Sequence, residues 1–381
     1  MRPLALILGI FLTAGVTIAA IASMVVPRAT RTGLAHLVTR SVLGVVHIPL
    51  RVLGGYRAQD RWLRLAAPIS VLIQLAIFVM LVIVGIALVI YGQFDLTWKQ
   101  AAWQSAATVT TLGTTEAVNW SSAMSSATGA FLGLVIIAVF MGYLVGLYSS
   151  YVARESLMAG FAQIAGEPAW GPMVLARSMV LAGDPGEELC CADWSSWMTD
   201  VRLGQQASPV LSHFRSPDPQ RHWIVTMLSM LDATALALAL GRASDRPAAV
   251  RCLAQGSITL GVLSRQGVGD EATNWSTETA LLSILDGGST AIDPSLGAID
   301  DVEWAAAVDL LTVAGVGDRT TIDGLRNTVE SMRAFYAADA LALARELHAV
   351  RAPWSGARLI DTPVLWPCGP DGWTPPAVVT A

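Results

Sequence analysis

Charged side chains are scarce in this chain of 381 residues: 14% of the residues are charged, whereas 54% are hydrophobic. This balance is too apolar for an ordinary soluble protein and too charged for a chain that lies wholly in a membrane. Cysteine is also rare. The four cysteines lie after Val152, in the acidic part of the chain: Cys190, Cys191, Cys252 and Cys368. Free thiols in a reducing compartment are the simple interpretation. The adjacent pair has no metal-ligand spacing, which favours buried or inert thiols.

The chain lacks the common signatures of catalysis and of nucleotide binding. It contains no phosphate-binding glycine loop, no H-E-x-x-H, no dinucleotide fingerprint and no nucleophile elbow. From Val152 to the C-terminus, fifteen arginines stand against twenty-six acids, a net charge of −11 that argues against a nucleic-acid partner. We therefore expect a protein that is not an enzyme and needs no cofactor. A membrane-bound enzyme is the remaining catalytic alternative, with no motif behind it.

Charge is absent from three long apolar runs, roughly Leu4–Val26, Ala66–Ile90 and Gly129–Tyr151. Each run is long enough to cross a bilayer as a helix, which takes about 20 residues. The first could instead be a cleaved signal peptide, because Ala20–Ala22 is a suitable small-residue site. Only one basic residue, Arg2, precedes this run, whereas a signal peptide begins with a clearly basic segment. We therefore predict that the span is retained.

The arginines between the first two spans predict the orientation. Seven arginines stand against one acid between Pro27 and Arg64, and basic loops stay on the cytoplasmic side. The N-terminus is then outside, and the acidic C-terminal domain is cytoplasmic in a multi-pass protein of the plasma membrane. The segment Thr30–Gly55 fits a helix in the inner interface with its arginines near lipid headgroups, and a plain basic connector fits equally.

A threonine-rich stretch, Thr108–Glu116, lies between the second and third spans. The segment Trp98–Ala107 before it is rich in helix formers but too short to span the membrane. A half-helix that ends in a central cavity directs the negative end of its dipole there and favours cations. This pattern predicts a backbone that enters the membrane and turns its carbonyl groups toward an ion path. A threonine-rich loop that serves packing alone and conducts nothing is the alternative.

The run Thr110–Thr111–Leu112–Gly113–Thr114–Thr115–Glu116 resembles the selectivity-filter signature T-T-V-G-Y-G-D of the potassium-channel superfamily. Trp103 stands where the family often has an aromatic residue, and the resemblance covers about residues 66–151. It implies a tetramer in which Thr111 supplies the innermost ion site, Leu112 and Gly113 the next carbonyl rings, and Glu116 the outer mouth.

The outer half of the run differs from the family pattern, since Thr114 and Thr115 replace the aromatic residue and the second glycine. The glycine normally serves a left-handed backbone that a β-branched residue adopts only at a cost. Strict potassium selectivity and weakly selective passage of K⁺ or Na⁺ therefore both remain open. In the third span, Gly129 and Gly133 form a G-x-x-x-G pair that allows a close helix crossing. A second pair, Gly142 and Gly146, is the predicted gating hinge.

The remaining chain reads as helical, with little alternation of period two. Arg215, His222 and Asp232 are its most chemically loaded positions and could form a regulatory ligand site or a proton-sensing cluster. The alternative is structural: a capped helix whose Asp is paired with Arg or His in the core. Asp232 lies in the middle of the apolar segment Trp223–Leu240, which we predict to be a buried core helix rather than a fourth span.

The predicted fold class is therefore membrane all-α. Its predicted parts are a first transmembrane helix (1–26), a basic connector (27–65), a pore domain (66–151), a helical cytoplasmic domain (152–351) and a proline-rich tail, extended or disordered (352–381). Within the pore domain we expect an outer helix (66–91), a pore helix and filter (97–116), a serine-rich outer loop (117–128) and an inner helix (129–151). The expected function is a homotetrameric, lipid-embedded channel for monovalent cations, and a non-conducting membrane sensor or scaffold is the alternative.

Overall fold

The computed structural model describes residues 2–25, 41, 44–45, 55–113, 120–186, 189–264, 273–288, 290–359, 362–370 and 373–376. Within these ranges the chain is helical and contains no β-strand, as the sequence predicts. It divides into two compact units. The first comprises Met1–Leu50, Trp62–Ser149 and Ala207–Phe214, and the second comprises Arg51–Arg61, Ser150–Gln206 and Arg215–Ala381.

The long described segments in the first half of the chain form four helices: α1 (Arg2–Val25), α2 (Tyr56–Gln93), α3 (Trp98–Val109) and α4 (Trp120–Ala165). Of these, α1, α2 and α4 are long and apolar enough to cross a membrane. The three spans predicted from the sequence are confirmed as helices, and their length and composition are typical of helices that cross a membrane.

Helix α1 packs antiparallel against α2 through closely apposed backbones. A Cβ atom built on Gly92 would lie 2.7 Å from Cβ of Leu6, and one on Gly85 would lie 2.3 Å from the hydroxyl oxygen of Thr13. Arg2, at the start of α1, forms an ion pair with Asp95, just beyond the end of α2. The N-terminus therefore lies beside the turn that leads into α3.

Two of the predicted boundaries need correction. Helix α2 begins at Tyr56, ten residues before the apolar run, because Gln59, Asp60 and Leu63 give its first turns a buried face. Helix α4 begins at Trp120, so the serine-rich outer loop expected up to Thr128 is wrong over most of its length. Serine tolerates this helix because its hydroxyl can bond to the preceding turn, as Ser125 does to the carbonyl of Ser121 at 3.1 Å.

After α4 the described residues form shorter helices: α5 (Gly171–Ala182), α6 (Cys191–Ala207), α7 (Trp223–Ala239), α8 (Arg246–Ser264), α9 (Thr273–Leu285), α10 (Asp301–Val313), α11 (Arg319–Gly324), α12 (Arg326–Arg333) and α13 (Ala337–Glu346). Short 3₁₀ turns lie at Pro209–His213 and Pro294–Gly297. The segment from Arg319 to Glu346 is divided among three short helices, α11, α12 and α13. Gly324, a weak helix former, ends α11, whereas the break before Ala337 has no local sequence signal.

Helix α7 is the core of the second unit. Every residue from Trp223 to Leu238 is buried. Gly171 of α5 and Gly256 of α8 allow close crossings, since a Cβ on Gly171 would lie 2.8 Å from the amide nitrogen of Ala233. The prediction that this apolar segment is a core helix and not a fourth span is confirmed.

The proline-rich tail joins the same core. Trp354 and Trp373 are buried, and Trp366 packs edge-on against Trp170 with 5.3 Å between the ring centroids. Trp304 stacks on Trp354 at 5.8 Å. The described part of the tail is non-helical, and its tryptophans attach it to the core of the second unit.

Candidate functional site

Helix α3 begins at a locally encoded cap. The side chain of Thr97 accepts from the amide of Gln100, and the side chain of Gln100 accepts from the amide of Thr97 at 2.9 Å. The helix has 12 residues, which corresponds to a length of about 18 Å. A membrane core is about 30 Å thick, so α3 cannot cross it. The short helix predicted over Trp98–Ala107 is confirmed and extends two residues further, to Val109.

A polar anchor attaches α3 to α2. The hydroxyl of Ser105, which is fully buried, donates to the carbonyl of Ile83 at 2.6 Å. Ile83 precedes the end of α2 at Gln93 by ten residues, or about 15 Å along the helix axis. The C-terminal half of α3 therefore lies alongside the interior of the apolar stretch of α2. Trp103, on the opposite side of α3, is 61% exposed.

The C-terminal end of α3 abuts α4 at the first glycine pair. A Cβ on Gly133 would lie 2.3 Å from the carbonyl oxygen of Val109, and one on Gly129 would lie 3.0 Å from Cγ2 of Thr108. Glycine is required at residue 133 because any side chain would collide with the backbone of α3. A Cβ built on Gly142 or on Gly146 would have no other atom within 4 Å, so this second pair faces open space around the chain.

The turn that follows α3 is wound in the left-handed sense. Thr110 has φ −84°, and Thr111, directly after it, has φ +59°. The amide of Leu112 donates to the carbonyl of Ala107 at 2.8 Å, which closes a Schellman motif. Glycine is usual at the left-handed position, and a β-branched threonine there is a true outlier. Such outliers cluster at functional sites, where the surrounding structure holds them in place.

This turn presents oxygen atoms without formal charge. The amides of Thr110, Thr111 and Leu112 all donate back to carbonyls of α3, so they do not point outward. The hydroxyl of Thr110 donates to the carbonyl of Ala106 at 2.7 Å and keeps its lone pairs. Residues Thr110–Gly113 are all exposed in the single chain. The negative end of the α3 dipole, about half an elementary charge, lies at this turn and favours a cation.

Comparisons with protein-family models, curated proteins and solved structures gave no match.

The structure describes only part of the predicted ion-pathway residues. Thr110, Thr111, Leu112 and Gly113 lie together in the turn after α3. The predicted members Thr114, Thr115 and Glu116 lie outside the described residues. Gly113 has φ +66°, so positive φ values fall on alternate residues, Thr111 and Gly113.

Two of the predicted regulatory residues of the second unit, His222 and Asp232, lie apart along α7. The Nδ1 atom of His222 accepts from the amide of Ile224 at 3.3 Å and so caps α7. Asp232 lies ten residues further along, or about 15 Å along the helix. Arg215 donates to the carbonyls of Leu347 and His348, at 2.7 and 3.0 Å, and lies 3.5 Å from Asp60.

Asp232 belongs to a buried structural network instead. Its Oδ1 accepts from Nε of Arg333 and from the hydroxyl of Tyr336, each at 2.8 Å. Burial, and secondarily the charge of Asp232, raise the pKa of Tyr336 well above its ordinary value, so Tyr336 remains a proton donor. Arg333 also donates to the carbonyls of Gly297 and Trp354. This arrangement matches the structural alternative, a core Asp–Arg pair.

Two features of the structure have little or no signal in the sequence. The hydrogen bond of Ser105 has only a weak signal in the sequence, namely a serine on the buried face of a short apolar helix. The ion partner of Asp232 has none, because Arg333 is 101 residues away. No group of three or more His, Cys, Asp or Glu in the described ranges could hold a metal ion.

Proposed function

We propose that this chain is one subunit of a homotetrameric pore-loop channel that passes monovalent cations, K⁺ or Na⁺, passively across the plasma membrane. Helix α2 is the outer helix, α3 the pore helix and α4 the inner helix. The N-terminus lies outside, and the domain after α4 is cytoplasmic. No catalytic step and no cofactor are part of the proposal.

The observation that carries the proposal is the position of the end of α3 beside the apolar middle of α2. Helix α3 stops alongside the interior of α2 and against Gly133 of α4, and the turn Thr110–Gly113 is exposed. Irregular backbone at membrane depth is tolerated only where protein covers it or where it lines a water-filled cavity. Further copies of the chain around a central axis satisfy both conditions. Four copies are proposed from the resemblance to the potassium-channel superfamily.

The electrostatics of the turn favour cations over anions. Amide groups are directed back into α3, whereas the dipole end and the threonine oxygens remain at the exposed surface. Rings of such oxygens replace the hydration shell of an ion in selectivity filters. Thr111, whose left-handed conformation starts the alternation, is the residue we propose for the innermost ion site.

The inner helix offers a route for control of the pore. Helix α4 continues to Ala165, and its last turns place Met158, Phe161 and Ala165 in the core of the second unit. The indole of Trp197 on α6 donates to the carbonyl of Arg154 at 3.1 Å. Rearrangement of the cytoplasmic helices would therefore move the end of α4, and Gly142 and Gly146 are the proposed bending points.

Cation flux into liposomes tests the proposal. The purified full-length protein is expected to pass K⁺ or Na⁺ but not Cl⁻, and reversal potentials measure its selectivity. Thr111→Val keeps the β-branched shape and removes the hydroxyl, so we expect a lower flux or an altered K⁺/Na⁺ ratio. Thr17→Val is the matched control, because the hydroxyl of Thr17 donates only to the carbonyl of Thr13 on α1. Absence of cation flux from assembled oligomers would favour a non-conducting sensor or scaffold.

A further inference from the structure

The C-terminal tail lies against the end of α4. We call its described residues 362–370 and 373–376 the strap. A Cβ atom built on Gly166, the residue that follows α4, would lie 2.6 Å from Cβ of Pro367 in the strap. Gly166 has φ +78°, a conformation that glycine adopts without strain. The strap therefore approaches the backbone at the end of α4 so closely that a side chain at residue 166 would push it away.

One arginine bridges α4 and the strap. The Nη1 atom of Arg177, on α5, donates to the carbonyl of Gln163 in the last turn of α4 at 2.7 Å. Its Nη2 atom donates to the carbonyl of Cys368 in the strap, also at 2.7 Å. The last carbonyl groups of a helix have no partner within the helix, so a donor from outside stabilises them. A single planar guanidinium thus ties the end of α4 to the strap.

Tryptophan rings hold the strap over the connection between α4 and α5. Trp170, directly before α5, is fully buried. Its ring centroid lies 5.3 Å from that of Trp366 and 6.0 Å from that of Trp373, both in the strap. The amide of Trp170 donates to the carbonyl of Ala165, the last residue of α4, at 3.3 Å. The strap therefore covers the residue that closes the end of α4.

The strap is less firmly held than the helices beneath it. Its described residues include five prolines, which have no amide group to donate: Pro363, Pro367, Pro370, Pro375 and Pro376. Trp366 is half-buried and Cys368 is exposed, whereas every residue of α7 from Trp223 to Leu238 is buried. Segments with few hydrogen bonds and little buried surface open while the rest of the fold stays closed.

We propose that the strap is a latch that opens on its own and, while closed, fixes the last turn of α4 in the core of the second unit. In the closed state Arg177 joins Gln163 to Cys368, and Trp366 covers Trp170. When the strap opens, Arg177 keeps one of these two carbonyl partners, and the last turn of α4 is free to move. The consequence for ion passage rests on the proposed function, in which α4 is the inner helix.

Hydrogen–deuterium exchange of the full-length protein in detergent tests the latch without any measurement of flux. The reporter amides are those of Gly166 and Trp170, which donate to carbonyls in the last turn of α4. In the wild type we expect the amides of the strap to exchange before those of α7. The result is the same whether or not the chain conducts ions, so a failure of the latch and a failure of the channel proposal are distinguishable.

Two variants that loosen the latch from different sides share one expected result. Arg177→Gln removes the bridge, and Trp366→Ala weakens the strap without a change in α4 or α5. Each should make the reporter amides exchange about tenfold faster and leave the amides of α7 unchanged. Arg246→Gln is the matched control, because Arg246 forms an exposed ion pair with Asp286 at 3.1 Å, and it should match the wild type.

Three results would overturn the proposal. If Arg177→Gln speeds exchange at the reporter amides and Trp366→Ala does not, Arg177 stabilises the end of α4 without the strap. Equally faster exchange throughout the second unit would make the strap a fixed part of the core. If Trp366→Ala does not fold, the wild type decides, and strap amides that exchange only together with those of α7 would contradict the latch.

Discussion

Gly133→Ala tests the contact that positions the end of α3. The added Cβ would lie 2.3 Å from the carbonyl oxygen of Val109, whereas ordinary contact begins near 3.5 Å. Helix α3 and the turn after it must therefore move by about 1 Å. Forced overpacking of this kind costs about 1–3 kcal/mol. The displaced atoms are backbone, so rotation of a side chain cannot relieve the contact.

The matched control for this change is Gly142→Ala on the same helix. Both substitutions gain the helix propensity of alanine over glycine, up to about 1 kcal/mol, but residue 142 has open space around it. The difference between the two variants therefore isolates the contact with Val109. We expect Gly142→Ala to match or exceed the wild type in stability, and Gly133→Ala to fall below Gly142→Ala by about 1–3 kcal/mol.

Two measurements follow from this comparison. Thermal unfolding in detergent is expected to give a midpoint for Gly133→Ala several degrees below that of Gly142→Ala. Cation flux per oligomer should fall in Gly133→Ala, because the displaced turn carries Thr110 and Thr111. Equal midpoints in the two variants, together with the wild-type flux in Gly133→Ala, would refute the close crossing of α3 and α4 as the support of the site.

Three further substitutions test other parts of the account. Asp232→Asn leaves Arg333 buried without its counter-charge and should lower the free energy of unfolding by about 3–5 kcal/mol. The control Asp286→Asn removes an exposed ion pair and should lower it by about 0–1 kcal/mol, so equal losses in chemical denaturation would contradict this. Burial raises the pKa of Glu303, so the contribution of Glu303 to stability is present below its ordinary pKa and is lost as the pH rises through the raised pKa. Glu303→Gln keeps an acceptor for the Trp354 amide and should remove this pH dependence from the unfolding midpoint. Thr111→Gly should raise the unfolding midpoint by relief of about 1–2 kcal/mol of left-handed strain, and an unchanged or lower midpoint would argue against that conformation.

The sequence predicts the features of this chain that local chemistry decides. The three apolar helices follow from long runs without charge, and the start of α3 follows from the reciprocal cap of Thr97 and Gln100. The core position of α7 follows from an acid in the middle of an apolar segment. Each of these signals lies within one helical element, so a single sequence is enough to read it.

Contacts between distant segments are what the sequence does not reveal. Asp232 pairs with a residue 101 positions away, and the bond from Ser105 reaches back 22 positions to Ile83. The early start of α4 was hidden because serine is common both in loops and in helices that absorb its hydroxyl. At the candidate site, the position of α3 was foreseen, but the left-handed conformation of Thr111 was not, since threonine rarely adopts it.

The arrangement of several chains around the Thr110–Gly113 turn tests the central claim most directly. Electron cryo-microscopy of the full-length protein in lipid nanodiscs measures that arrangement. The account predicts four copies around one axis, with the carbonyls that follow α3 facing the axis and density for cations between them. A single copy, or an assembly in which Thr110–Gly113 faces lipid or lies in a protein contact away from any axis, would contradict the account.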